Sequence, residues 1–261
     1  EADDSHFLDC FSSGVINGYD SLGGLIGFSY TLELERCYTD VTITGDSSIG
    51  GLVGYSMNNP INKCYSECII TGNENLGGLI GMAYTSPTSN SYAKGIVSGV
   101  SNTGGLFGYG FYSPMSDSYA SVALQNEGMT GGIVAETESS DITNCVWDQD
   151  VSGQANGVGH NNNGIITNLT GASTAEMQMM STYTDIGWDF VGENVNGDED
   201  IWDMDDVIND GFPYIYDIDF PVDIDEEVIE NVKLKIENYP NPFNPTTTIC
   251  FTTTEGADNT E

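Results

Sequence analysis

The segment Gly77-Gly78-Leu79-Ile80-Gly81 decides the fold, because close copies of it recur through the first half of the chain. The other copies are residues 23–27, 50–54, 104–108 and 131–135, so the step is 27 residues each time. Other columns of residues keep the same step. A constant repeat without insertions indicates that one short structural unit is stacked on itself.

The composition of the repeat favours strands over helices. Its aliphatic residues are often β-branched, and Gly, Asn, Ser and Pro separate them. We expect three short strands and three corners in each turn of 27 residues, which defines an all-β fold, a right-handed parallel β-helix or solenoid. One column should point inward and stack between turns. It consists of Leu25, Leu52, Leu79, Leu106 and Ile133.

A glycine column marks a corner of the repeat. Glycine occupies positions 18, 45, 72 and 99, and Asn126 takes the fifth place. Asn tolerates a left-handed backbone better than most other residues. The column therefore predicts a corner with positive φ.

Four of the six cysteines share one repeat column. The column reads Cys10, Cys37, Cys64, Ser91, Ser118 and Cys145. A small inward side chain explains it, and parallel Cβ vectors in stacked strands are a poor geometry for disulfides. We expect reduced, buried thiols. The two histidines, His6 and His160, do not form a zinc-type spacing with them.

An aromatic column follows the cysteine column directly. Its members are Phe11, Tyr38, Tyr65, Tyr92 and Tyr119. The rings could form a strip on which a sugar stacks, or a ladder that packs between turns. We favour the ladder, because self-stacking already uses the ring faces.

The Gly-Gly-Leu-Ile/Val-Gly pattern, with an aromatic and small-residue strand before it, resembles the GLUG motif of bacterial surface and secreted proteins. The resemblance covers about residues 7–147. It implies an adhesin-like chain or the non-catalytic part of a secreted peptidase. The last copy departs, with Ala135 for the final glycine and with Glu136 and Glu138 at positions that are aromatic or Met earlier. This change indicates the start of a cap.

Residues 148–220 are expected to form an irregular C-terminal cap with one short helix. Ser173 and Glu176 have the spacing of a capping box at the start of that helix. Large aromatic residues further on should cover the open end of the solenoid. An acidic run offers candidate ligands for Ca²⁺, which binds carboxylate oxygens, although a solvated acidic loop is the favoured interpretation. The candidates are Asp198, Asp200, Asp203 and Asp205.

The C-terminal end suggests export. Residues 221–231 look like an acidic linker, and residues 232–261 contain Tyr239-Pro240-Asn241-Pro242-Phe243-Asn244-Pro245. This string resembles the opening of the C-terminal sorting domain of type IX (Por) secretion and of the related FlgD-like immunoglobulin-fold module. We expect a truncated module, a short β remnant. The resemblance implies recognition by the secretion machinery of a Gram-negative bacterium and a secreted or cell-surface location.

The charge balance excludes several classes of partner. There are 40 Asp and Glu against 5 Lys and Arg, so the formal charge is −35. Such a chain should not bind nucleic acid or anionic membrane surfaces, because both need clustered basic residues. The apolar runs are shorter than the ~18 residues of a spanning helix, so we expect no membrane span.

These observations favour a non-catalytic extracellular or cell-surface solenoid with an adhesion, display or spacer role and an unknown glycan or protein ligand. We find no nucleophile elbow, His-Glu-x-x-His motif or phosphate loop. The three bases of the solenoid, Arg36, Lys63 and Lys94, do not converge in the repeat pattern. We therefore expect no enzyme, no catalytic residues and no cofactor other than Ca²⁺. The alternative is the non-catalytic part of a secreted peptidase or a β-helix polysaccharide-degrading enzyme.

Overall fold

The computed structural model describes residues 5–216 and residue 218. The predicted linker at 221–231 and the sorting-like module at 232–261 lie outside the described residues. The described part is a parallel β-solenoid of about six turns. Each complete turn passes through four parallel sheets, here named A to D in the order in which the chain meets them.

The strands of each sheet follow one another at the repeat step. Sheet A contains Ser5–Leu8, Leu32–Glu35, Ile61–Asn62, Thr88–Ser89, Met115–Ser116, Ile142–Thr143 and Ile166–Thr167. Sheet B contains Phe11–Asn17, Tyr38–Thr44, Tyr65–Thr71, Tyr92–Ser98, Tyr119–Gln125, Val146–Asp148 and Thr170–Ala172. Sheet C contains Asp20–Gly23, Ser47–Gly50, Glu74–Gly77, Ser101–Gly104 and Thr130–Gly131. Sheet D contains Ile26–Tyr30, Val53–Met57, Ile80–Tyr84, Phe107–Phe111, Val134–Glu138 and Val158–Asn162.

The all-β parallel solenoid is confirmed, but a complete turn contains four strands rather than three. The Gly-Gly-Leu segment, which looks like part of a strand, is itself a corner. In one turn the strand of sheet C ends at Gly77 and the strand of sheet D begins at Ile80. Gly78 and Leu79 make the connection, and their N–H groups donate to carbonyl oxygens of the next turn. Because this corner forms strand-like hydrogen bonds to the next turn, its composition alone does not distinguish it from a strand.

The glycine column at the corner after sheet B does not adopt positive φ, so that prediction is wrong. Its glycines are needed for space: a Cβ on Gly45 would lie 2.5 Å from the Leu22 side chain and 3.0 Å from that of Ile49. Three other columns of mostly polar residues have a left-handed backbone, two of them at corners between strands and the third inside the strands of sheet C. One of these columns is Asp9, Arg36, Lys63, Asn90, Asp117, Asn144 and Asn168.

The inward leucine ladder is confirmed. Leu52, Leu79, Leu106 and Ile133 are fully buried, and Leu25, nearer the N-terminal end, is partly buried against the same core. The N–H of each donates to the carbonyl of its equivalent in the next turn, as from Leu52 to Leu79 at 2.9 Å. The apolar area removed from water at every turn supplies the main cohesion of the rod.

The last turn is shorter and irregular. Val134 is in register with Val158, and Ile142 is in register with Ile166, so the step falls to 24 residues and sheet C has no strand there. Trp147 fills the interior of this turn, since its indole lies against Gly132, Gly157 and Gly171. The solenoid therefore continues to Ala172, beyond the Trp147 boundary that the loss of the period suggests.

The cap contains more than the one helix that we expected. The short helices are Gln149–Ser152, Thr174–Met177 and Ser181–Thr184, a 3₁₀ turn covers Ile208–Gly211, and an antiparallel pair joins Trp202–Asp203 to Tyr214–Ile215. The capping box of Ser173 and Glu176 is present at the predicted place.

The cap aromatics lie over the outer face of sheet B, where we expected them over the open end. Tyr183, Trp188, Trp202 and Phe212 have ring centroids within 6.4 Å of Tyr119. Polar contacts fix the docking. The Tyr119 hydroxyl donates to the Pro213 carbonyl at 2.8 Å. The Lys94 ammonium, which packs against the Phe212 ring, donates to Asp210 at 2.7 Å and to the Asn209 side chain at 2.9 Å. Lys94 thus has a structural partner in the cap.

Candidate functional site

The outer side of sheet D presents two parallel columns of large side chains. The last three residues of each five-residue strand alternate, so the middle one is small and buried, as at Ser56 and Ala83, while the residues on either side of it point outward. We call the outward set the aromatic face. It comprises Phe28, Tyr55, Met82 and Tyr109 in one column and Tyr30, Met57, Tyr84 and Phe111 in the other.

The aromatic face is open to solvent. Tyr30 is 62% exposed, Phe28 55% and Tyr84 37%, and the other five members are half-buried by their neighbours. Phe28 and Tyr55 meet edge to face at 5.3 Å, whereas Tyr84 and Phe111 stack at 4.8 Å. Four rungs at the strand spacing make a face about 14 Å long. Contiguous patches of exposed apolar side chains often mark binding sites, whereas single exposed apolar residues do not.

Acidic residues border the C-terminal end of the aromatic face. Glu136 and Glu138 continue the two columns in the next rung. The Tyr109 hydroxyl donates to Glu138 at 3.4 Å, and the Asn102 amide donates to Glu136 at 3.3 Å. Partial burial and the neighbouring carboxylates raise the pKa of Tyr109 above its usual range. The face therefore combines flat rings with hydrogen-bonding groups at their edge.

The aromatic face is not among the columns predicted from the sequence, although the sequence carries a signal for it. Both columns keep the 27-residue step over four turns. Glu136 and Glu138 are easy to notice because they interrupt that pattern. The exposed surface, however, is formed by the residues that precede them in the two columns. Recognising it required knowing that both columns belong to one strand and that both point outward.

The aromatic column of sheet B forms the predicted ladder. Phe11, Tyr38, Tyr65, Tyr92 and Tyr119 stack at centroid separations of 4.6–4.8 Å. Tyr92 and Tyr119 are fully buried beneath the cap, and burial raises their pKa well above the usual range. Because the ring faces contact each other and the cap covers Tyr92 and Tyr119, this column is a packing element.

The cysteine ladder is also as predicted within the described residues. Cys37, Cys64, Cys68 and Cys145 are buried, Cys10 is half-buried, and all five are free thiols. The Cys37 N–H donates to the Cys64 sulfur at 3.4 Å, and serine replaces cysteine in the same role at Ser91 and Ser118. Burial raises the pKa of Cys68 and of Cys145 to about 12.

The raised pKa values predict alkaline destabilisation. A buried thiol with a folded-state pKa of about 12 favours folding fully below pH 9, the usual thiol value, and this contribution is lost as the pH rises towards 12. At pH 11, two units above the usual thiol pKa, the loss is about 2.7 kcal/mol for each such thiol. Melting curves between pH 8 and pH 11 should show a falling Tm. Cys145→Ser should reduce the fall, and a Tm independent of pH across this range would contradict the prediction.

The structure does not gather the predicted calcium ligands. Among the described residues, one group of three possible ligands has its atoms within 4.8 Å of one another, and it is the exposed set of His6, Glu33 and Glu35. Asp203 accepts from the Tyr214 hydroxyl at 2.7 Å, and Asp205 accepts from the Val207 N–H at 2.8 Å. The Asp203 bond joins the two strands of the antiparallel pair and the Asp205 bond holds a local turn, while Asp198 lines a pocket described below.

The fold defines the protein as a parallel β-solenoid with a laterally docked cap and an exposed aromatic face. Comparisons with protein-family models, with curated proteins and with solved structures find no match. The resemblances to the GLUG motif and to the sorting domain therefore stay predictions. Among the described residues, no helix is both long and apolar enough to cross a membrane.

Proposed function

We propose that this chain is a non-catalytic extracellular or cell-surface solenoid that binds a neutral glycan through the aromatic face of sheet D. Its role is adhesion or display on a rigid rod. The observation that carries the proposal is the aromatic face itself, with eight large outward side chains in two columns, three of them exposed and five half-buried. Export rests on the resemblance of residues 232–261 to a sorting module, which the described residues do not include.

The chemistry of the face suits a sugar. A pyranose ring has one face of C–H groups, whose hydrogens carry partial positive charge, and a rim of hydroxyls. Aromatic rings present a negative face to such hydrogens, and tyrosine adds a hydroxyl that can bond to the rim. Tyr30, Tyr55, Tyr84 and Tyr109 place four hydroxyls on the face. Glu136 and Glu138 can accept further bonds from sugar hydroxyls at its end.

The charge of the chain selects the kind of glycan. At a formal charge of −35 the protein repels polyanions at long range, so uronic acid or sulfated polymers bind unfavourably. Neutral polymers avoid this cost. The repetition of equivalent rungs also suits a polymer with a repeating unit, because successive sugars can meet successive rings.

The test is binding of the full chain to arrays of neutral and anionic glycans, followed by calorimetry on the best ligand. Tyr30→Ser and Tyr84→Ser remove exposed rings and should each weaken binding at least tenfold, about the value of one stacked ring. Tyr19→Ser is the matched control, because Tyr19 is 79% exposed and lies between the strands of sheets B and C rather than on sheet D. It should leave the affinity unchanged.

Other outcomes would overturn parts of the proposal. Wild-type affinity in both variants would remove the face as the binding site. Recognition of a protein and of no glycan would favour the protein ligand. Release of reducing ends from a bound polysaccharide would favour the degrading-enzyme alternative, and Glu136→Gln and Glu138→Gln would then test those carboxylates.

A further inference from the structure

A pocket of about 480 Å³ lies between the cap and the solenoid corner at Asn90 and Asp117, and it shares no residue with the aromatic face. We call it the cap pocket. Trp188 and Trp202 form one wall, with their rings stacked at 4.6 Å. Four acidic residues also line it, and they are Asp117, Asp189, Asp198 and Glu199.

Asp189 is a buried acid with an unused oxygen. The residue is 7% exposed, and its Oδ2 accepts a hydrogen bond from the Glu199 N–H at 2.8 Å. Its Oδ1 is buried and has no hydrogen-bond partner in the described part of the chain. A buried carboxylate oxygen without a donor is costly, so a donor from a bound molecule would stabilise the folded cap.

A second orphan group borders the same pocket. The indole Nε1–H of Trp202, a residue that is 1% exposed, has no acceptor within the described residues. The other two tryptophans are satisfied: Trp147 donates to the Gln154 carbonyl at 2.9 Å and Trp188 to the Asn144 carbonyl at 2.8 Å. The residues that line the cap pocket therefore include one unpaired acceptor, on Asp189, and one unpaired donor, on Trp202, and because both atoms are buried a ligand reaches them only after a side-chain movement.

The charge and size of the cap pocket limit its ligand. Four acids and no Lys or Arg line it, so it favours a cation. No three of these carboxylates come within 4.8 Å of one another in the described structure, which is wider than direct coordination of one Ca²⁺ allows. A volume of about 480 Å³ instead lies in the range of sites for small organic molecules.

We propose that the cap pocket binds a primary ammonium group with a neighbouring oxygen acceptor. The ammonium donates to Asp189 Oδ1, the oxygen accepts from the Trp202 indole, and Asp198 and Glu199 close the site from the exposed side. Both an amino sugar and a lysine side chain with its backbone carbonyl have this chemistry. The proposal does not depend on glycan binding at the aromatic face.

The experiment follows the three indole N–H signals of the full chain by ¹H–¹⁵N NMR at pH 6.5. D-glucosamine and Nα-acetyl-lysine amide are titrated separately. Each has a neutral counterpart of nearly the same shape, D-glucose and Nα-acetyl-norleucine amide. We expect the Trp202 signal to move in at least one ammonium titration, with affinity at least tenfold above the neutral counterpart. Binding of glucosamine alone identifies a sugar, and binding of the lysine derivative alone identifies a polypeptide.

Variants connect the signal to the cap pocket. Asp189→Asn keeps the shape and should weaken binding at least tenfold. The double variant Asp198→Asn/Glu199→Gln changes exposed side chains, so it should fold normally and still weaken binding. Asp206→Asn is the control, an exposed cap acid that does not line the pocket. Equal binding of the neutral counterparts, no binding of either ammonium compound, or a response to CaCl₂ alone would overturn the proposal.

Discussion

Replacing Leu79 with Asp is expected to abolish the cooperative thermal transition of the protein. Leu79 is fully buried in the middle of the inward ladder, with Leu52 and Leu106 in the turns on either side. A carboxylate there has no cation in the described core to pair with, and it disrupts three turns at once. The cost exceeds about 4 kcal/mol, which is a large part of the stability of an ordinary domain.

Circular dichroism during heating measures this loss. Thr71→Asp is the control, because Thr71 is exposed on the outer side of sheet B and accepts the same charge in water. It should keep the wild-type transition within a few degrees. A normal melting curve for Leu79→Asp would show that the ladder does not supply the cohesion of the rod.

Gly78→Ala should also prevent normal stacking, although it adds a single methyl group. A Cβ on Gly78 would collide with the Gly105 carbonyl oxygen of the next turn, and it would lie 2.9 Å from the Ala93 side chain. The clash with backbone cannot be relieved by a rotamer change. The turns on both sides must separate, so we expect a loss of about 3 kcal/mol or more and a fall in Tm of at least 10 °C.

Gly110→Ala is the matched control for this substitution. Gly110 is likewise a buried solenoid glycine, but its nearest neighbours would be 3.5 Å or more from the new Cβ, which is ordinary contact. Ala83 already occupies the equivalent place one turn earlier. We expect an unchanged or slightly higher Tm, because alanine restricts the unfolded chain. Similar losses in Gly78→Ala and Gly110→Ala would contradict the role of close backbone approach at the Gly-Gly corner.

A repeat pattern predicts which residues are neighbours in a solenoid, but it does not show where the chain bends. The inward column, the thiol column and the tyrosine ladder were found from spacing alone, because residues 27 apart are neighbours in a solenoid. The number of strands per turn could not be found in this way. Gly78 and Leu79 bond to the next turn like strand residues, so their sequence does not show that the chain bends there. The use of glycine for space at Gly45, rather than for positive φ, likewise depends on the side chains of Leu22 and Ile49.

The sites were less predictable than the fold. The acidic run suggested a calcium loop around Asp198, but the buried acid with an unused oxygen is Asp189, several residues earlier. The aromatic columns of sheets B and D have similar sequence patterns but different surroundings in the structure. The cap covers Tyr92 and Tyr119 on sheet B, whereas Tyr30 and Tyr84 on sheet D remain exposed. The repeat pattern does not show which of these columns the cap covers.

The sequence by itself determined the register, the parallel stacking and the residues of the core, because each of these follows from local pleating and contacts at a constant step. The tertiary structure alone decided which outer face is covered and which is left exposed. That choice depends on contacts between the irregular cap and the solenoid, such as Lys94 with Asn209 and Tyr119 with Pro213, which join residues 115 and 94 positions apart. Such contacts require matching shapes and hydrogen-bond partners, and no period in the sequence records them.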